Sequence, residues 1–338
     1  MKQKIRFLLL FCLFVAFNTK AQNSVLQSII NNIQADSIKH NVEVLESFPS
    51  RFLFSEYQRQ VAFYLKERMQ NYGFDVEVDS FYVEDLYIIS NVPMNSGWAY
   101  NVLCVKKGND NSVDSSLFLG AHYDCISNRE ENFSDYEHFA PGADDNASGV
   151  ATLLELARVW QQSNITSKHN LRIEFYAGEE LNFVGSNHRL YQLAETWNTK
   201  VIGMINLDMV GYNKSDTLNI NYYDNSSDLT SQAIEYTLLY SDLIPHLDME
   251  YRERSDSWVF YSWGLKALFF TEHDFSPYYH TLQDSSTYLD FNYMKKICGI
   301  TFALAFDILS SEEVSVGLEP ISSIEIIKND NKELVFCL

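Results

Sequence analysis

The stretch LFLGAHYD, residues 117–124, decides the fold, because it contains both a buried strand and the polar residues that end it. Residues 117–121 form a continuous apolar run, which is typical of a strand covered on both faces of a parallel sheet. His122 and Asp124 follow directly. An imidazole and a carboxylate are therefore expected at the carboxyl end of this strand.

Predicted strands and helices alternate on both sides of this stretch. Val150, Leu153 and Ala157 recur at helical spacing within a predicted helix over 146–162. Strands that alternate with helices of this length are typical of an α/β fold, with a mixed, largely parallel twisted sheet sandwiched by helices. Consecutive strands within 74–106 predict an antiparallel edge. The other predicted helices are 24–48, 55–72, 186–197, 229–241 and 291–310, and the predicted strands are 74–78, 82–90, 99–106, 171–177, 201–207, 217–223 and 266–271.

The chain shows no internal repeat and no low-complexity linker, which indicates one domain over residues 24–312. Residues 313–338 form a short C-terminal tail with a predicted strand at 323–328. The sequence leaves two roles open for this tail. It is either the start of a sorting segment for surface display or a terminal strand that packs on the domain.

The first residues have the pattern of a secretory signal. Lys2, Lys4 and Arg6 precede an apolar run at 7–17, and Ala21 supplies a small residue before the expected cleavage. The run is shorter than the roughly 20 residues that a membrane span requires. We therefore predict a signal peptide over 1–21 and export to the periplasm, the cell surface or the extracellular medium, without stable membrane insertion after signal removal. An uncleaved N-terminal anchor is the alternative.

Composition excludes several classes of partner. Apolar residues make up 46% of the chain, enough for a large buried core. Loss of residues 1–21 removes four basic and no acidic residues, which changes the formal net charge from −20 to −24. Such a surface repels nucleic acid and anionic membranes. After signal removal four cysteines remain, and up to two disulfides in three pairings are open to them: Cys104, Cys125, Cys298 and Cys337.

Five short motifs supply residues that bind metals. An isolated His or Asp at a strand end is most often a turn or capping residue, but here three motifs follow predicted strands of one sheet. Together they contribute two imidazoles and several carboxylates, which are the donors that zinc takes at catalytic sites. The motifs are HYD at 122–124, GADDNASG at 142–149, AGEE at 177–180, NLD at 206–208 and HTLQD at 280–284.

This motif set resembles the zinc aminopeptidase family known as peptidase family M28, whose members include secreted bacterial leucyl aminopeptidases. The resemblance covers roughly residues 30–310 and is strongest in GAHYD, PGADDNASG, AGEELNFVGS, NLDMVGY and HTLQD. It implies a mixed sheet of about eight strands flanked by helices, which agrees with the α/β fold predicted from the strand and helix pattern.

The resemblance also implies two zinc ions per chain and assigns the ligands. His122 and Asp208 would hold one zinc, and Glu180 and His280 would hold the other. Asp145 would bridge the two ions, as a carboxylate does in sites with paired metals.

The resemblance assigns a role to Glu179, and the positions of Asp124 and Asp144 suggest supporting roles. Glu179 would be the general base that takes a proton from a metal-bridging water and passes it to the leaving amine. Asp124 would accept the second ring N–H of His122. Asp144 would either support the ligands or cap the following helix. The family also tends to hold the bond after the bridging Asp in cis, which predicts a cis Asp145–Asn146 bond.

The function implied is that of an exported di-zinc aminopeptidase. It would hydrolyse the N-terminal bond of peptides with a free N-terminus and an apolar first residue. Glutaminyl cyclases resemble the same family and use one zinc to form N-terminal pyroglutamate, so this activity is the alternative. The motifs PGADDNASG and AGEE favour the peptidase. A metal-free binding protein would need a broken ligand set, and no ligand position is broken.

The substrate end of the site carries a weaker signal. In RSDSWVFYSWG, residues 254–264, Ser257 stands where relatives often have a histidine. Relatives of this type also place a tyrosine nearby that helps to stabilise the oxyanion, but the spacing of Tyr251 differs by one residue and leaves it unassigned. Five aromatic residues are candidates for an apolar pocket, with core packing as the commoner role: Trp258, Phe260, Trp263, Tyr278 and Tyr279.

Overall fold

The computed structural model describes residues 23–84, 96–110, 114–129, 139–196 and 198–310. The predicted signal peptide 1–21 and the tail 313–338 lie outside these residues, as does most of the predicted strand 82–90. Over the described ranges, every helix is too short or too polar to cross a bilayer.

The described residues form one eight-stranded sheet with the strand order β1-β2-β4-β3-β5-β8-β6-β7. Four strands at its centre run parallel, in the order β4-β3-β5-β8. β1 and β2 form the predicted antiparallel edge. The strands are β1 (Asp75–Val83), β2 (Gly97–Lys106), β3 (Asp114–His122), β4 (Asn170–Tyr176), β5 (Thr199–Leu207), β6 (Thr217–Tyr222), β7 (Ile244–Asp248) and β8 (Ala267–Glu272).

The sheet confirms the predicted mixed, largely parallel α/β fold and adds two features that the sequence analysis missed. β6 runs antiparallel to β8, so the sheet also changes direction beyond the parallel centre on this side. β7 then pairs with β6 in parallel and forms the far edge. β7 escaped prediction because its sequence, IPHLD, contains a proline and two polar residues and so has no continuous apolar run. As an edge strand it leaves Ile244 and Leu247 exposed.

Two helical layers cover the sheet, because successive strand residues point to opposite faces. Leu117 and Leu119 of β3 enter a large core with helices α1–α4, α6 and α8. Phe118, between them, enters a smaller core with α5 and α7. The helices are α1 (Ser24–Ile30), α2 (Ala35–Glu46), α3 (Gln58–Asn71), α4 (Gly149–Gln162), α5 (Val184–Thr196), α6 (Ser227–Tyr240), α7 (Ser257–Ser262) and α8 (Phe291–Ser310).

Two predicted helices differ in detail from those observed. The predicted helix 24–48 is divided into α1 and α2, and the Gln34 N–H between them donates to the buried Glu155 carboxylate at 2.7 Å. The predicted helix 146–162 begins later, at Gly149. Residues Ala143–Ser148 before it form an irregular turn in which Asp145 and Asn146 have non-helical backbone angles.

The cysteines make no disulfide with one another within the described residues. Cys104, Cys125 and Cys298 are buried free thiols, so none of the pairings among these three is formed. Cys337 lies outside the described residues.

Candidate metal centre

Three neighbouring parallel strands deliver the predicted residues to one edge of the sheet. β3 ends at His122, whose Cα partner is Tyr176 at the end of β4. β5 ends one residue before Asp208. After β4, Gly178 has a φ of +69°, a left-handed conformation that glycine adopts without strain and that turns the chain into Glu179 and Glu180. Sequence-distant segments therefore meet where the strand-end rule places a ligand site.

The five predicted metal ligands lie together, with Asp145 between the two histidines. His122 Nε2 is 3.2 Å from Asp145 Oδ1 and 3.2 Å from Asp208 Oδ1. His280 Nε2 is 3.0 Å from Asp145 Oδ2 and 2.9 Å from Glu180 Oε2. Each Asp145 oxygen thus faces a different histidine. Two three-residue groups result among these ligands, and in each the donor atoms lie within 4.8 Å of one another. A third group that meets the same distance consists of His122, Glu179 and Glu180.

Glu179 belongs to the same cluster but stands further back. Its Oε2 is 4.0 Å from His122 Nε2, beyond the distances of the four contacts that involve Asp145, Glu180 and Asp208. The side chain is buried, with 9% of its surface exposed. This position suits a group that handles protons beside the ligands.

The turn that carries Asp145 is held by a residue to which the sequence analysis gave no role. Asp284, the last residue of HTLQD, accepts the Asp144 and Asp145 N–H groups at 2.9 and 3.1 Å. The Asp145–Asn146 bond is cis, as the family resemblance predicted. Asp144 does not cap α4, because its carboxylate accepts the Gly211 N–H at 3.0 Å. Asp144 therefore joins the turn to the chain that follows β5.

Asp124 connects two parts of the site. Its Oδ1 lies 3.4 Å from His122 Nδ1. Its two oxygens also accept the Glu179 and Glu180 N–H groups at 3.2 and 3.3 Å. The carboxylate is fully buried and orients both the imidazole and the glutamate pair. This second contact lies outside the predicted role of Asp124.

Two further residues that orient ligands were missed. The Ser255 hydroxyl donates to Asp208 Oδ2 at 2.6 Å and accepts the Asn206 side-chain N–H at 2.6 Å. Asn128 Oδ1 lies 3.0 Å from His280 Nδ1. Ser255 lies in the motif-like segment RSDSW, residues 254–258, which was the signal for it, whereas Asn128 lies outside all five motifs.

Burial and neighbouring charges shift the pKa values of the carboxyl groups in the site. Burial, followed by repulsion from Asp208 and Glu180, raises the pKa of Glu179 well above its ordinary value. Burial and the adjacent Asp145 raise the pKa of Glu180 to about 7. Burial opposes the ionised form of Asp145 as well, but its contacts with both histidines outweigh that effect and lower its pKa.

The pKa values of the two histidines are raised, whereas burial alone would lower the pKa of a base. Burial disfavours their charged forms, but the carboxylates of Asp208 and Glu179 raise the pKa of His122 well above its ordinary value. Glu180 and Asp145 likewise raise the pKa of His280 to about 10. The cluster of buried carboxylates thus attracts positive charge strongly. Imidazole nitrogens and carboxylate oxygens converging on such a point fit a divalent cation.

An aromatic wall extends from His280. The Tyr279 ring stacks on the His280 imidazole with centroids 3.6 Å apart. Phe275 meets Tyr279 edge-on at 5.0 Å and stacks on Tyr251 at 5.7 Å. Phe275 is 42% exposed, so the wall is open to a ligand. The other pocket candidates lie elsewhere, since Phe260 is in the smaller core, Trp258 and Trp263 pack against that core, and Tyr278 stacks on Tyr288.

Ser257 has a structural contact in place of the histidine of relatives. It is fully buried at the start of α7, and its hydroxyl lies 2.9 Å from the Tyr223 hydroxyl. Tyr223 in turn donates to the Arg252 carbonyl at 2.6 Å. The tyrosine hydroxyl thus supplies the polar partner inside the smaller core, and Ser257 does not reach the aromatic wall.

Comparisons with known proteins identify a family and a shared fold. The sequence model described as peptidase family M28 matches residues 101–305. Leucine aminopeptidase 1 of Trichophyton equinum is 27% identical over 310 residues, which cover 86% of this chain and 80% of that protein. The LapA aminopeptidase of Legionella pneumophila superposes with a TM-score of 0.72 and 22% identity, covering 88% of this chain and 79% of that one.

The fold is shared more widely than one activity. A glutaminyl cyclase of Bacteroides thetaiotaomicron superposes with a TM-score of 0.67 at 19% identity, covering 81% of this chain and 98% of that one. At such identity the likeness concerns the fold alone. Fold, site and family match together define a metallo-aminopeptidase. The chain belongs to peptidase family M28.

Proposed function

We propose that this chain is an exported di-zinc aminopeptidase that removes apolar residues from the N-terminus of peptides. The observation that carries the proposal is the position of Asp145, which offers one oxygen to each of two groups of ligand-type residues. His122 and Asp208 would hold one zinc, and Glu180 and His280 would hold the other. Two bound zinc ions supply the Lewis acid that polarises the scissile carbonyl and lowers the pKa of water.

The remaining chemistry falls to residues of the chain. Glu179 accepts a proton from the attacking water and delivers it to the leaving amine. Burial raises the pKa of Glu179 well above its ordinary value, which strengthens the carboxylate as a proton acceptor. The free α-amine of the substrate is a cation and is stabilised by the buried carboxylates of the site. Asp124 keeps His122 and both glutamates oriented through these steps.

The aromatic wall supports a preference for an apolar first residue. Phe275 is exposed beside Tyr251 and offers ring surface near His280, so an apolar side chain would lose contact with water there. The Tyr279 ring contributes less, because it stacks on His280 and lies under the Arg129 guanidinium at 4.6 Å. Several relatives are named leucine aminopeptidases, which agrees with this preference. Export is proposed from the basic and apolar pattern of residues 1–21.

One experiment tests the reaction and the metal count together. The protein is stripped of metal, titrated with zinc, and assayed on leucyl, glutamyl and lysyl arylamides, an N-acetylated leucyl arylamide and an N-terminal-Gln peptide. We expect hydrolysis of the leucyl compound to reach its maximum at two zinc ions per chain, with none of the blocked compound. A maximum at one zinc with pyroglutamate as product would replace the proposal by a cyclase.

A further inference from the structure

Arg51 is a fully buried arginine that holds two segments of the metal centre together. It lies in the loop between α2 and α3, and none of its surface is exposed. Its Nε donates to the Tyr123 carbonyl at 2.8 Å, and Nη2 donates to the Gly142 carbonyl at 2.7 Å. Nη1 donates to the Leu45 and Pro141 carbonyls at 3.0 and 2.7 Å.

The acceptors connect this guanidinium to the ligands. The Tyr123 carbonyl lies between His122 and Asp124 in the chain. Pro141 and Gly142 lead directly into the turn that carries Asp145. The planar guanidinium of Arg51 therefore bonds both the segment that carries His122 and the segment that carries Asp145. These two segments come from separate parts of the chain.

The contact is close as well as polar. Gly142 has a φ of +52°, and a Cβ added there would lie 2.7 Å from Arg51 Nη2 and 2.4 Å from Cys125 Cβ. The Cys125 thiol also donates to the Ala140 carbonyl at 3.1 Å. Gly142, before Asp145, thus packs closely against Cys125, after His122, and the Arg51 guanidinium contacts the same glycine.

Arg51 and Arg189, the two buried arginines among the described residues, have their charges satisfied in different ways. Burying an unpaired charge is costly unless it is fully hydrogen-bonded. Arg189 meets this cost with the Glu174 carboxylate at 2.9 Å. Arg51 forms no ion pair with any residue that the structure describes, and backbone carbonyls alone satisfy it. Its charge is therefore satisfied, within the described part of the chain, by carbonyl dipoles rather than by a paired carboxylate.

We propose that Arg51 is a positioning residue of the metal centre, which sets the separation of His122 and Asp145 through the carbonyls of Tyr123, Pro141 and Gly142. This inference rests on the proposed zinc site. Lysine at this position would keep the charge but could not reach four carbonyls, because its three donors radiate from one atom.

The test compares Arg51→Lys with the matched control Arg189→Lys, which replaces a buried guanidinium that is bonded to the Glu174 carboxylate. Zinc affinity is measured by chelator competition, and the d–d absorption of the cobalt-substituted protein reports ligand geometry. Urea unfolding of the metal-free proteins measures the loss of stability in each variant. We expect Arg51→Lys to lower zinc affinity by about 10- to 100-fold and to alter the cobalt spectrum. The control should change stability alone.

A second variant keeps the test decisive if Arg51→Lys does not fold. Arg51→Ala is refolded with and without millimolar guanidinium ion, which would occupy the vacated space and restore the cobalt spectrum. Wild-type affinity and spectrum in a folded Arg51 variant would overturn the inference and leave Arg51 as a structural tie. Failure of the wild-type protein itself to bind two zinc ions would instead refute the proposed function.

Discussion

Replacement of Glu179 by glutamine separates proton transfer from metal binding. Glutamine has nearly the same shape, and the backbone N–H of residue 179 can keep its 3.2 Å bond to Asp124. Glu179 Oε2 is 4.0 Å from His122 Nε2, whereas the ligand contacts to the histidines are 2.9–3.2 Å. We therefore expect Glu179→Gln to retain its zinc.

The expected loss of activity follows from the role of Glu179. A positioned general base contributes a factor of about 10² to 10⁴, which corresponds to about 3–5 kcal/mol in the activation free energy. Because Glu179 is buried, bulk water has poor access to replace it, and the upper part of this range is expected. The change should fall on kcat, with KM nearly unaltered.

Glu180→Gln is the matched comparison, since it makes the same chemical change at the adjacent residue. Glu180 Oε2 contacts His280 Nε2 at 2.9 Å, so this variant loses an anionic ligand and should lose one of two zinc ions. Metal content by mass spectrometry and kcat on a leucyl arylamide distinguish the two variants. Full hydrolysis by Glu179→Gln, or zinc loss equal to that of Glu180→Gln, would refute the assignment.

Three further predictions concern Asp124, Tyr223 and the pH dependence of stability. Asp124→Asn should weaken zinc binding by about 10- to 100-fold in chelator competition, because it alters the contacts to His122 and both glutamate N–H groups; unchanged affinity would contradict its orienting role. Tyr223→Phe should destabilise the protein by about 1–2 kcal/mol in urea unfolding, since it removes the partner of Ser257, with kcat/KM unchanged. In metal-free protein, the pKa of His280 is raised from 6.5 to about 10 and that of Glu180 from 4.5 to about 7, so the folded state binds more protons than the unfolded chain. Stability should therefore fall as pH rises from about 5 to 9, and zinc, which displaces these protons, should raise Tm most at high pH. A Tm of the metal-free protein that rises over this range would contradict the last prediction.

Much of the site could be predicted because its residues follow strands that the sequence marks clearly. The apolar run 117–121 is buried in β3 as predicted, and His122 stands at the end of that strand. Parallel neighbours bring their carboxyl ends to the same edge, so Glu179 and Asp208 had to lie near His122. The family motifs then predicted Asp145 and His280 as partners, and the structure brings them within 3.2 Å of the other ligands.

Residues without local patterns could not be found in this way. Ser255 reaches Asp208 across 47 positions of sequence, and Asp284 reaches Asp145 across 139. Arg51 bonds the Gly142 carbonyl across 91 positions. Such hydrogen bonds depend on how separate loops pack at the sheet edge, and periodicity within one segment carries no information about them.

The sequence by itself determined the α/β class, the central strands and the acidic surface, because these follow from local composition and spacing, and its motifs marked the candidate metal ligands through their resemblance to a family. Only the tertiary structure decided the antiparallel pairing of β6 with β8, the position of Asp145 between two histidines, the contact of Ser257 with Tyr223 and the hydrogen bonds of the buried Arg51. These features depend on contacts between segments far apart in the chain, whose geometry is set when the sheet and its loops pack together.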